Sequence, residues 1–212
     1  MSRIQNAKPN DESSPLGYDF GRATVAKSPI SAGEWEQLKA AARFTEEDER
    51  WLALAGEVLS DQRREIVAHW RAGIIADIPH LAKHSRGING ESLPEYLHAS
   101  NLRFEQWIHD TCLRPYDQTW LDYQHEIALR HTPAKKNKTD SVRSTAGIPF
   151  QDIIAFVATM NETIRPFLSS KRHPPEAVDK MHLAWQKSLQ LQLAVWSRAF
   201  EENAAPLPKS HC

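Results

Sequence analysis

His131 is the side chain whose type and position point most directly at chemistry. It closes a run that also carries Trp120, Tyr123 and Ile127. On a helix advancing about 100° per residue, Ile127 and His131 fall about 20° either side of Trp120, and His125 falls about 140° away. His131 therefore shares the apolar stripe, at the last turn. A neutral imidazole there can bond a carbonyl through one nitrogen and offer the other to a metal, which is what an axial haem ligand needs. A hydrogen-bonded core histidine, or one favoured by the helix dipole, fits the same pattern. Arg71 sits four residues after Val67 and four before Ile75, inside an apolar stripe. A guanidinium buried there needs partners; the alternative is that it runs along its stem to solvent. His80 and His84 have one-turn metal spacing but read as a solvated pair beside a loop. Lys135, Lys136, Lys138 and Arg143 read as a solvated loop, which can also meet the acidic groups of a cofactor.

Several chemistries are excluded by absent motifs. There is no G-x-G-x-x-G, Walker loop, H-E-x-x-H or G-x-S-x-G. There is no C-x-x-C-H, so any haem would be held without covalent attachment. Cys112 and Cys212 form no C-x-x-C pair and read as free thiols of a cytoplasmic chain. A net charge of -1 gives no push toward nucleic acid or an anionic membrane. No apolar run approaches a bilayer span, and the first residues lack the apolar core of a signal peptide.

Helices must position these groups. The 212 residues suit one domain with tails. Residues 1–29 are rich in Pro, Ser, Asn and Lys and read as a tail, partly docked at Tyr18-Asp19-Phe20-Gly21. Ser31 caps a short helix through Trp35 and Leu38. Thr45-Glu46-Glu47-Asp48 opens another, with Trp51, Leu54, Ala55, Val58 and Leu59 at helical spacing. Ser60-Asp61 opens a third that carries Ile66, Val67, Trp70, Ile74 and Ile75 until Ile78-Pro79 breaks it. After a Gly-Asn loop, a long amphipathic segment holds Leu93, Tyr96, Leu97, Phe104, Trp107 and Ile108. Asp117 caps the helix of His131, which stops at Thr132-Pro133. Two late helices follow, one with Ile153, Phe156, Val157, Met160, Ile164 and Phe167, the other from Pro174-Pro175 with Val178, Met181, Trp185, Leu189, Leu193 and Trp196. No stretch alternates as a strand does. The fold class is therefore all-α with seven or eight helices, a candidate globin architecture though other bundles fit the same pattern: tail 1–29, helical globin-like domain 30–200 and C-terminal tail 201–212.

Residues 116–131, Y-D-Q-T-W-L-D-Y-Q-H-E-I-A-L-R-H, resemble the protoglobin family. So do Ala55-Gly56-Glu57-Val58-Leu59, Arg103-Phe104-Glu105-Gln106-Trp107-Ile108, Lys135-Lys136-Asn137, Arg165-Pro166-Phe167-Leu168 and the tail motif Gly17-Tyr18-Asp19-Phe20-Gly21. The resemblance spans roughly residues 16–200. It implies a globin-like fold with an added N-terminal helix, related to the sensor domain of globin-coupled sensors, in its stand-alone form. It also implies b-type haem, with iron on His131, and binding of dioxygen, carbon monoxide and nitric oxide. By the same resemblance Trp70 takes the distal Trp position and Phe104 the aromatic over the distal haem face. Ile153, Phe156 and Met160 take haem-wall positions, and Ile108 and Ile127 complete the expected cofactor contacts. The departures gather on the distal side. The family's distal Tyr is Arg71, a Phe is Ser85 and an apolar residue is Ser100; the second His of an H-H pair is Thr132.

Three functions compete at this level. The first is a gas-binding haem protein with a sensing or storage role. The second is a haem enzyme acting on nitric oxide or peroxide, in which an Arg near iron assists. The third is a haem-free, globin-like interaction domain. Phe167, Trp185, Leu193 and Trp196 exceed what one core stripe obviously uses, and the resemblance implies pairing through late helices, so a homodimer through the last two helices is expected.

Overall fold

The computed structural model describes residues 14–203. Its elements are α1 (Ala32–Ala41), α2 (Glu46–Leu59), α3 (Arg63–Ala72), α4 (Pro79–Ala82), α5 (Pro94–Leu113), α6 (Gln118–Leu129), α7 (Phe150–Thr163), α8 (Arg165–Leu168) and α9 (Pro175–Glu202). Two single 3-10 turns, Ile75–Asp77 and Lys83–Ser85, flank α4. Among the described residues there is no strand, only isolated bridges Arg86–Ser92 and Gly87–Ser144.

The starts at Ser31 and Asp117 are built from the expected caps, whereas the third helix opens not at Ser60-Asp61 but at Arg63, with Gln62 before it and no side-chain cap. Ser31 Oγ accepts from Glu34 N at 3.2 Å while Glu34 accepts from Ser31 N at 2.9 Å. Asp117 accepts from Trp120 N at 3.0 Å. Both satisfy donors that a helix start leaves free. Two ends differ from the sequence reading. The third helix stops at Ala72, with Gly73 at its cap, so Ile74 and Ile75 lie outside it. Glycine and β-branched residues in succession are poor helix formers, so the chain turns before Ile78-Pro79. α6 likewise ends at Leu129, and its last carbonyls are taken by tighter turns: His131 N donates to Ala128 O and Thr132 N to Leu129 O.

The 28-residue α9 is the axis of the molecule, packed against α1, α2, α6, α7 and α8. Because neighbours surround it, its apolar residues occupy more than one face. Trp185, Leu193 and Trp196 are buried and Phe167 packs against the same core, so these four residues supply no exposed patch for a partner. That corrects the expectation drawn from their number.

The tail is docked where it is described. Tyr18 donates to buried Asp110 at 2.7 Å and meets the Tyr123 ring edge-on at 5.2 Å. Arg114 lies 4.5 Å over Phe20. Ser28 N donates to Asp122 at 2.9 Å. The first part of the expected N-terminal tail, residues 1–13, the expected C-terminal tail beyond residue 203 and the free thiol expected at Cys212 lie outside the described residues.

Candidate functional site

A cavity of about 240 Å³ opens between α3, α5, the end of α6, α7 and α9. His131 stands on its wall. His131 Nδ1 lies 2.8 Å from Ile127 O, and a carbonyl only accepts, so Nδ1 carries the proton. Burial pushes the imidazole down to about 4, so it is neutral at ordinary pH. Nε2 is therefore an unprotonated donor atom. The ring is fixed by stacking on Trp196 at 5.6 Å, and its backbone is pinned where Ile148 N donates to His131 O at 2.8 Å. Trp196 is in turn locked by donating to Gln124 at 3.0 Å.

Arg71 does not run to solvent. Its guanidinium donates to Ser100 Oγ at 2.8 Å and Ser85 Oγ at 3.4 Å and lies 5.3 Å over the Phe104 ring. Arg71 Nε is buried without a partner. Lys136 is buried too. It donates to His84 O at 3.2 Å and Ser144 Oγ at 3.3 Å, and burial, with Arg71 adding repulsion, holds its ammonium down at about 8. Neither cation has a carboxylate partner among the described residues, whereas Arg103 pairs with Asp140 at 2.7 Å and Arg130 with Glu126 at 3.0 Å. The cavity is thus apolar over most of its wall and cationic at two unpaired points.

A protoglobin family model matches residues 31–205. The chain belongs to the protoglobin family. Its fold is similar to the globin domain of the Geobacter sulfurreducens globin-coupled sensor, with a TM-score of 0.59 and 18% identity over 78% of this chain and 96% of that one. No curated protein matches it in sequence.

Within this protoglobin, Arg71, Phe104, Ile127, His131, Ile153, Phe156 and Met160 converge on the cavity. Trp70 and Ile108 do not line it. Trp70 lies behind Phe104, ring centres 5.3 Å apart, and donates to Thr163 at 2.9 Å; Ile108 is buried in the main core. Trp70 also packs against Trp185 of α9, ring centres 6.5 Å apart, so it faces the core rather than the open space. The reading of His84 and Lys136 as solvated is also corrected: bridges between the 85–92 and 132–147 loops fold both inward. Sequence reasoning missed Tyr96 and Trp196 as wall residues. It also missed that Arg71, Ser85 and Ser100 bond to one another, although all three were already legible as departures from the family.

The residues present fit a b-type haem. They supply a neutral imidazole nitrogen, walls of Phe104, Ile127, Ile153, Phe156 and Met160, and a cationic wall group without a carboxylate partner among the described residues, Lys136, suited to a carboxylate. No group of three or more His, Cys, Asp or Glu suited to a metal exists among the described residues. No helix described is long and apolar enough to cross a membrane.

Proposed function

We propose that this protoglobin binds one b-type haem per chain through His131 and takes diatomic gases in the space beside Arg71 and Phe104. The observation that carries the reading is the committed state of His131: one nitrogen spent on Ile127, the other bare on an apolar cavity wall. The haem, when bound, supplies an iron with one position open to a diatomic molecule. The chain's own residues do the rest. Nδ1–H bonded to a carbonyl fixes the tautomer and makes Nε2 a better donor. The apolar wall excludes water. Arg71 can donate to a ligand that carries negative charge on its outer atom.

The test compares wild type and His131→Ala after addition of haem. Wild type should retain haem through a desalting column and show a strong Soret band. His131→Ala should lose haem or show a displaced ferrous spectrum. An unchanged ferrous spectrum would remove His131 as the ligand. A wild type that takes up no haem would leave the interaction-domain reading standing instead.

We further propose a homodimer through α7 and α9. Its support is no longer the count of apolar residues but two large apolar side chains left in solvent on these helices, Ile154 and Leu183.

A further inference from the structure

Arg71, Ser85 and Ser100 pose a problem of hydrogen-bond balance. A guanidinium can only donate, so both serine oxygens act as acceptors toward it. Each hydroxyl proton is then left to find an acceptor, and among the described residues neither has one. Arg71 Nε–H is likewise buried and unspent. Of the five guanidinium N–H groups the serines take two, so Nη1 and Nη2 each keep one N–H beside the two hydroxyls, while Nε–H is packed away from open space. The charged and polar neighbours do not cancel this. The ionisable groups near Arg71 are Tyr96, whose burial raises its hydroxyl and keeps it neutral, Arg103, a cation already paired with Asp140, the neutral imidazole of His131, and Lys136, a second buried cation that Arg71 repels. The guanidinium is also held in place by the Phe104 face and by Ser100, so its donors are fixed before anything arrives.

A buried cation with unspent donors and no carboxylate is costly unless something acceptor-only completes it. We propose that Arg71, Ser85 and Ser100 form a seat for a small oxyanion of the nitrite class. Two features of the chemistry select that class. The ligand must accept from several directions at once, which a planar oxyanion does and carbon monoxide does not. It must also be small, because the seat shares its cavity with the space assigned to the cofactor. The seat is built from α3, the 3-10 turn after α4, and α5, and so goes beyond the gas-binding reading: it does not require His131 to hold iron.

The test titrates sodium nitrite into wild type, Arg71→Leu, Arg71→Lys and Ser100→Ala, each in two forms. In chains loaded with ferric haem, binding is read from the absorption spectrum, with imidazole as a neutral comparator. In haem-free chains it is read as the nitrite-dependent rise of the unfolding temperature. Nitrite affinity should fall roughly ten- to a hundredfold in Arg71→Leu and severalfold in Ser100→Ala, since charge-assisted hydrogen bonds are the stronger kind. Arg71→Lys should recover part of it, and imidazole should be little affected. The haem-free wild type should be stabilised by nitrite and Arg71→Leu should not. Failure to take up haem would sink the haem reading while the haem-free titration still decides the seat. The seat is overturned if nitrite and imidazole weaken together, if nitrite binds all four chains alike, or if Arg71→Leu only loosens haem, which would assign the guanidinium to a cofactor carboxylate.

Discussion

Arg71 and His131 show how one residue type reads differently before and after its partners are known. The stripe position of each was visible in the sequence, and His131 stands on the cavity as the stripe implies. What the sequence left open was whether Arg71 turns inward, because its partners lie 14 and 29 residues away on other elements. Removing this guanidinium should show in ligand release. For Arg71→Leu, dioxygen release is expected to quicken on the order of tenfold, and carbon monoxide release far less, since a charged hydrogen bond favours the ligand that carries more negative charge. Stopped-flow off-rates measure both, and equal small changes would mean that Arg71 does not face the ligand. His131 carries a pH prediction of its own. Its folded value, about 4, lies below its ordinary 6.5, so the unfolded chain takes up a proton that the folded chain refuses. The resulting stability is fully present above about pH 6.5 and is lost as pH falls toward 4, by up to roughly 3 kcal/mol. Urea titrations of the haem-free chain across that range should show the loss, and His131→Ala should show less of it.

At the scale of elements, the starts with a capping side chain were legible; the third helix's start, expected at Ser60-Asp61 and found at Arg63, and the ends of α3 and α6 were not. Ser31 and Asp117 announce themselves through side-chain oxygens that act locally. The ends of α3 and α6 are set by where the following loop must go, and that is a tertiary demand. The crossing of α2 and α5 is one such demand. A Cβ at Gly56 would stand 2.7 Å from Leu113 and 2.8 Å from Cys112. Gly56→Ala should therefore destabilise the chain by roughly 1–3 kcal/mol despite alanine's better helix propensity, because backbone or neighbours must shift. A reduced urea midpoint with an unchanged slope is the expected result, and a stabilised variant would show that the two helices separate easily. The 132–147 loop was misread for the opposite reason: lysines suggest solvent, and nothing local says that Lys136 is folded in. Its ammonium, at about 8 against an ordinary 10.5, also favours the unfolded state's extra proton. Folding stability should rise as pH climbs from about 8 to 10.5, and Lys136→Met should abolish that rise. In Arg71→Leu the rise should begin at higher pH, because one source of repulsion is gone.

For the whole molecule, helical periodicity and caps were enough for an all-α domain, and the motif around His131, through its resemblance to protoglobins, singled out the globin architecture from other bundles. The partner surface did not follow, because a helix surrounded on several sides looks, in sequence, like one with a face to spare. The dimer now rests on Ile154 and Leu183, exposed on α7 and α9. Light scattering at tens of micromolar should give twice the chain mass, and Leu183→Glu should shift it toward a single chain. A single-chain mass for wild type would end that proposal. The docked tail has a consequence in time. Arg103 donates to Leu16 O at 2.7 Å and Arg130 to Asp19 at 2.9 Å, and both arginines belong to the cavity wall. These contacts join residues 87 and 111 positions apart. Such separations close late, after local helices have formed. During synthesis the tail emerges first and must wait, unpaired, until the segment around residue 130 has followed it. Two arginines of the cavity wall are thus anchored by a segment made before them, and a newly made chain passes through a stage in which its helices are present and Arg103 and Arg130 still lack these partners.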